Sequence, residues 1–284
     1  MLRNIKYGVE AVLLVVSITF FRLLPLDAAS ALGGLLGRMI GPFLGVHRVA
    51  GKNIAMALPE LSEAERGKVL SDMWDNLGRI IGEYPHISRK IMARRITIEG
   101  LEHLQNVKNS EVGSFFISGH FANWEIAPLT AAIYGLPMVL IYRAANNPVA
   151  DWLICRIRSR YNTAMYGKGR EGAQQSIKAV KAGKAVGMLV DQKMNDGEAV
   201  PFFGRDAMTA TAAISMAMKL EVPLLAARVV RTHGVHFHVT LQPPVIYDKN
   251  TDAKAAMLEL HRIFEYWIRE HPAQWFWVHN RWGK

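Results

Sequence analysis

The segment Ser118-Gly119-His120-Phe121-Ala122-Asn123-Trp124-Glu125 holds the residue pair best suited to chemistry. On one continuous helix the His120-to-Glu125 spacing turns the side chains through about 500°, so they diverge. They meet only if His120 sits on a strand-to-helix turn and Glu125 lies in the first helical turn. That placement suits catalysis, because sites in α/β sheets form at strand ends and a helix N-terminus favours an ionised carboxylate. An ionised Glu125 would accept from one imidazole nitrogen and leave the other as an acceptor. That fixes the tautomer of a general base. No G-x-S-x-G elbow is present, and the single cysteine, Cys155, lies in a distant helix-like run. A base with no nucleophile of its own deprotonates a substrate hydroxyl. The bland alternative is an ordinary histidine packed at a turn.

Other clusters point to less. Gly167-Lys168-Gly169-Arg170-Glu171-Gly172 matches G-x-G-x-x-G, with a helix after it and Asp191 at a strand end further on. The stretch from Asn162 to Tyr166 is short and poor in Val and Ile, and charged residues crowd the loop where backbone must approach a pyrophosphate. A dinucleotide is therefore not expected, and no cofactor is. His233, His236 and His238 lack the carboxylate or thiolate spacing that completes a metal site, so no metal is expected. Arg156, Arg158 and Arg160 alternate on a probable helix and read as a solvated face, with a carrier-protein contact as the functional alternative. Trp267, Trp275, Trp277 and Trp282 read as core packing, with interfacial anchoring as the alternative.

The elements around the histidine follow an α/β order. Asn53 to Ile87 is helical, with Ser62 and Glu65 forming a capping-box signature. Strands are predicted over 112–118, 139–143, 185–191, 223–231 and 235–241. Helices are predicted over 123–134, 149–161, 172–182, 209–220 and 253–270. This alternation implies an α/β fold with a mixed, largely parallel sheet flanked by helices. The expected division is a membrane anchor over 1–27 and one further domain over 28–284. Within the latter, 28–95 is a helical, membrane-associated lead-in and 96–284 is the α/β core.

The chain of 284 residues carries 34 basic against 24 acidic residues, a formal +10. That balance predicts acidic partners. Half of the residues are hydrophobic, which excludes a mainly disordered chain. One cysteine excludes a disulfide framework and fits a reducing compartment. Tyr7 to Leu26 is apolar for about the length of a membrane span, with Arg3 and Lys6 before it and Glu10 and Arg22 near its ends. It reads as a transmembrane anchor. Ala28 to Val46, rich in Gly, reads as lying on or packed against the membrane surface. Both stretches could instead be buried core helices.

At the histidine segment the sequence resembles a known family. His120 to Glu125 matches the H-x4-D/E motif of glycerolipid and lipid A acyltransferases, and the ordered series around it resembles the late (secondary) acyltransferases of lipid A biosynthesis. That series runs through Asn53, Leu58 to Ser62, Trp74, Asn76 and Gly78. It continues through Tyr142-Arg143, Asn146-Asn147-Pro148, Gly169 to Gly172 and Leu189 to Gln192. Pro201 to Gly204 and Trp275 to Trp282 complete it.

The resemblance implies a glycerolipid-acyltransferase-like fold. It implies transfer of a fatty acyl chain from acyl carrier protein to the hydroxyl of a 3-hydroxyacyl chain on a lipid A precursor. His120 would be the base and Glu125 its orienting partner. The family's conserved Arg and Asp are carried onto Arg170 and Asp191. Arg143, Lys168 and Arg170 would serve the thioester oxyanion or the acidic acceptor, without a division between them. Asp191 would fix a loop rather than act as a second base. The work would take place at the cytoplasmic face of an inner membrane, with no nucleic acid involved. Two alternatives remain: a lysophospholipid acyltransferase with a glycerolipid acceptor, and a non-catalytic basic protein of the membrane surface.

Overall fold

The computed structural model describes residues 2–161 and 164–283, with side chains from Tyr7 onward. The Arg3 and Lys6 side chains and Asn162 lie outside the described residues. Five helices come first: α1 (Leu2–Leu23), α2 (Leu26–Ile40), α3 (Val46–Ala57), α4 (Glu63–Glu83) and the single turn α5 (Arg89–Met92). Then β1 (Ile96–Glu99), α6 (Leu101–Ser110), β2 (Ser114–Ser118), α7 (Ile126–Ile133), β3 (Met138–Tyr142) and α8 (Pro148–Arg158) alternate. They are followed by β4 (Ala164–Gly167), α9 (Arg170–Lys181), β5 (Ala185–Leu189) and the hairpin of β6 (Glu198–Phe202) and β7 (Arg205–Thr209). The chain closes with α10 (Ala212–Leu220), β8 (Leu224–His233), β9 (His236–Leu241) and α11 (Ala253–Glu270).

Seven strands form one sheet in the order β1-β9-β8-β2-β5-β3-β4. Every neighbouring pair is parallel except the β8–β9 hairpin, so the expected α/β class with a largely parallel sheet holds. The central strand β2 is buried along its whole length, as a parallel strand covered on both faces must be. Its side chains alternate between two cores. Phe115 and Ile117 pack with Val186, Ile214 and Phe264, while Phe116 packs with Leu104, Met138 and Leu225 on the other face. Strand β1, the short hairpin β6–β7 and the edge strand β4 are additions to the predicted strands. The hairpin and β4 lack the apolar alternation that marks a strand in sequence, and β1 is only four residues long.

The capping box forms as expected. Ser62 Oγ accepts from the Glu65 amide at 3.3 Å, and Glu65 accepts from the Ser62 amide at 2.7 Å. Helix α4 lies directly against α2 through glycines. A Cβ on Gly33 or Gly78 would run into the other residue's carbonyl, so only glycine allows this approach.

The expected span from Tyr7 to Leu26 is not one helix. Pro25 disfavours helical backbone at the residue before it, so α1 ends at Leu23 and α2 starts afresh at Leu26. Among the described residues no single helix is long and apolar enough to cross a membrane. The stretches Leu26–Phe43 and Val46–Ala57 meet that test only together, with a bend of 92° between them. Helix α1 nonetheless leaves Val12, Leu13, Val16 and Phe20 exposed, and Met39, Ile40 and Phe43 are exposed at the end of α2 and just beyond it.

Candidate active site

Strands β2 and β5 pair in register, with Ser118 opposite Leu189. His120 and Asp191 each follow two residues later, so both emerge side by side at the carboxyl ends of adjacent parallel strands. Asp191 Oδ1 accepts from His120 Nδ1 at 2.7 Å. Asp191 Oδ2 accepts from the His120 backbone amide at 2.7 Å and from Trp275 Nε1 at 2.9 Å. Burial alone would raise the Asp191 carboxyl. The charge of His120, its ring and backbone hydrogen bonds and the Trp275 donor outweigh burial, and the carboxyl lies below its ordinary value. An ionised Asp191 makes Nδ1 the protonated nitrogen and leaves Nε2 as the acceptor. Gln192 Nε2 stands 3.4 Å from that nitrogen.

The carboxylate that reaches the His120 ring is therefore Asp191, where Glu125 was expected. After His120 the chain turns at Ala122, with φ 45°, before α7 begins. That turn sends Glu125 away from the imidazole toward α8. There it accepts from Arg158 Nε at 2.9 Å and Nη2 at 2.5 Å, and from the Tyr161 hydroxyl at 3.2 Å. Glu125 and Tyr161 are fully buried and Arg158 nearly so. Burial opposes the Arg158 charge, but the Glu125 carboxylate holds its pKa above the ordinary value. Arg158 is thus a paired internal cation and not part of a solvated face. No spacing in the sequence joins it to Glu125. The one local hint is Tyr161, one helical turn further on.

The loop itself is braced from several sides. Ala122 donates its amide to the Gln274 carbonyl at 2.7 Å, and Asn123 Nδ2 donates to Glu83 at 2.9 Å. Glu83 also pairs with Arg231 and accepts from Ser30 on α2 at 2.7 Å. Asn53 donates to the carbonyls of Trp277 and His279 at 2.8 and 2.7 Å, which pins the carboxy-terminal segment. That segment places Phe276 5.4 Å from the His120 ring, and Trp124, 4.9 Å from the same ring, also packs on Phe276 at 5.6 Å. Trp267, Trp275 and Trp277 are core residues, as the packing reading expected. Glu83 and Arg231 carried no sequence signal, because their link spans the whole fold.

A cavity of about 530 Å³ opens beside the imidazole. His120, Glu125, Arg158 and Gln192 are among its polar lining residues, and Phe116, Leu140 and Gly187 are among its apolar ones. Arg143 and Lys168 also line it and are exposed. Arg170 is exposed at the first residue of α9 and is not among the lining residues, so it does not stand with His120. The arginine beside the motif is Arg158.

The Gly-rich loop does follow a strand, β4, contrary to the expectation from its composition. Its nominal acidic partner is already engaged, since both Asp191 oxygens accept from His120 and one also from Trp275. The carboxylate that a dinucleotide ribose requires is therefore not supplied by Asp191.

Residues 2–284 match the family of bacterial lipid A biosynthesis acyltransferases. The lipid A biosynthesis palmitoleoyltransferase of Escherichia coli (strain K12) is 28% identical over 270 residues, covering 91% of this chain and 86% of that protein. The lauroyltransferase of the same organism is 26% identical over 273 residues, with 91% and 86% covered. Its lipid A biosynthesis myristoyltransferase is 24% identical over 254 residues, with 86% and 77% covered.

Proposed function

As the chain belongs to the bacterial lipid A biosynthesis acyltransferases, and so is an acyltransferase, we propose that it moves a fatty acyl group from acyl carrier protein onto the hydroxyl of a 3-hydroxyacyl chain of a lipid A precursor. The observation that carries this reading is the Asp191–His120 pair, whose imidazole lines a largely apolar cavity. His120 Nε2 takes the proton of the acceptor hydroxyl as its oxygen attacks the thioester carbonyl. The carbonyl π electrons move to oxygen, giving a tetrahedral oxyanion. On collapse the carbon–sulfur bond breaks, and the departing thiolate takes the proton back from the imidazole. Asp191 holds the ring and stabilises the imidazolium between those steps. The cavity takes the acyl chain, and the exposed Arg143 and Lys168 face the acidic acceptor and the carrier. Arg170, outside the cavity, belongs with the basic approach surface.

The exposed apolar residues of α1 and of the end of α2 rest on the lipid surface, at the cytoplasmic face of an inner membrane. The +10 charge draws the protein to anionic headgroups and to the acidic carrier. Mass spectrometry of products tests the reading, with purified protein in neutral detergent, a lipid A precursor or lysophosphatidate as acceptor, and acyl-carrier-protein or acyl-CoA donors. Transfer to the lipid A precursor is expected, lost in a folded His120→Ala variant. Its initial rate should fall more steeply with salt for the carrier donor than for acyl-CoA. Turnover on lysophosphatidate alone, or undiminished turnover in His120→Ala, would refute it.

A further inference from the structure

Asn147 stands in the sequence series shared with the family, yet the reaction above gives it no task. It is buried, only 6% exposed, and every polar atom of its side chain is engaged. Its Oδ1 accepts from the Val149 amide at 3.1 Å and so caps α8. Its Nδ2 donates across 140 residues of sequence to the Tyr7 carbonyl of α1 at 2.9 Å, and also to Glu10 of α1 at 3.3 Å. One amide thus joins the first helix of the chain to the segment between β3 and α8.

Arg143, the exposed first residue of that segment, lines the cavity and marks its rim. Asp151, in the first turn of α8, accepts from the Ala145 amide at 2.9 Å and from the Tyr142 hydroxyl at 3.2 Å. Tyr142 and Arg143 line the cavity, as do Ile154 and Arg158 further along α8. Arg158 in turn holds Glu125. A displacement at Asn147 therefore reaches both the rim and the buried ion pair through bonds, without passing through flexible chain.

The other end of the link is apolar. Val12 and Leu13 of α1 are 63% and 62% exposed, and Trp152 of α8 is 59% exposed. Arg156 lies over the Trp152 ring, 5.6 Å from its centroid. An exposed Trp and a cation on the helix tied to α1 are the residue types that sit at a lipid–water boundary.

We propose that Asn147 is a positioning residue that couples the seat of α1 on lipid to the rim of the acyl-transfer cavity. This rests on the reading that α1 meets the membrane. The Asn147→Asp variant isolates the link, because a carboxylate still caps α8 but has no donor for the Tyr7 carbonyl and faces Glu10 as a like charge. Adding Glu10→Gln to that variant supplies a new amide donor to the carboxylate and should join α1 to the cap of α8 again, by a different bond.

Hydrogen exchange read by mass spectrometry tests the coupling without any acyl transfer. The probe is a vesicle of phosphatidylethanolamine and phosphatidylglycerol. In the wild-type chain vesicles should slow exchange in α1 and also across 142–152. In Asn147→Asp the α1 protection should remain while that of 142–152 is lost, and Glu10→Gln should bring it back. Turnover on a vesicle-embedded acceptor should fall about tenfold in Asn147→Asp, the loss expected for one buried hydrogen bond, and recover in the double variant. Equal protection of 142–152 in wild type and Asn147→Asp, or no vesicle protection of α1, would overturn the proposal. A wild-type protein with the expected exchange pattern but no acyl transfer would instead count against the assigned reaction, leaving the coupling standing.

Discussion

Replacing Asp191 by Asn should stop turnover for a reason the hydrogen bonds dictate. In the native site Oδ2 accepts from two fixed donors, the His120 backbone amide at 2.7 Å and Trp275 Nε1 at 2.9 Å. An asparagine oxygen must take that position, since an amide NH2 there would face both donors. The NH2 group then falls where Oδ1 stood and points at His120 Nδ1. The imidazole adapts by moving its proton to Nε2, which becomes a donor facing the substrate hydroxyl. The base is lost although every heavy atom stays close to its place. General-base catalysis contributes about 10²–10⁴ in rate, so the barrier should rise by about 3–5 kcal/mol. The assay is single-turnover acyl transfer by the purified Asp191→Asn protein, with circular dichroism to confirm folding. Nitrogen-15 resonances of the imidazole should show the proton on Nδ1 in the wild type and on Nε2 in the variant. A folded variant with near-normal turnover would refute the Asp191–His120 assignment. So would an unchanged tautomer with activity lost.

Three further outcomes follow from the same geometry. Glu125→Ala leaves the Arg158 guanidinium without its counter-charge, so urea unfolding should show a loss of about 3–5 kcal/mol; the double replacement Glu125→Gln with Arg158→Met should lose less. Gly187→Val puts a branched side chain on a cavity wall where even a Cβ would press on Leu140 and Met138. The acyl-chain distribution by mass spectrometry should move to shorter chains, and an unchanged distribution would place the chain elsewhere. Burial holds His261 down at about 4, with its Nδ1 bonded to the Pro201 carbonyl at 2.8 Å. Its neutral form is favoured in the fold, so its contribution is complete above the ordinary 6.5 and is lost as pH falls toward 4. The gap is worth about 3 kcal/mol. The urea midpoint should fall across that window, and less steeply in His261→Gln.

The sequence by itself determined the features that depend on neighbours along the chain. Apolar runs at strand length placed β2, β3, β5, β8 and β9. Ser62 and Glu65 announced the start of α4, and the predicted helix 253–270 is α11 residue for residue. The place of His120 at a strand end was legible because a strand, a turn and a helix follow one another around it. Pairings between distant residues were not legible. Asp191 lies 71 residues from His120, and they meet because β2 and β5 pair in register and each chain continues two residues further. Spacing within one segment suggested Glu125 for that place, but the turn at Ala122 aims it at Arg158. Arg158 read as a surface cation because alternating arginines on a helix usually are solvated. Burial is decided by what packs over a helix, and here that is the loop carrying Glu125 together with Tyr161. The end of α1 at Leu23 could be read from Pro25. Which of its faces stays open to an apolar surroundings only the packing of α2, α4 and α8 decided.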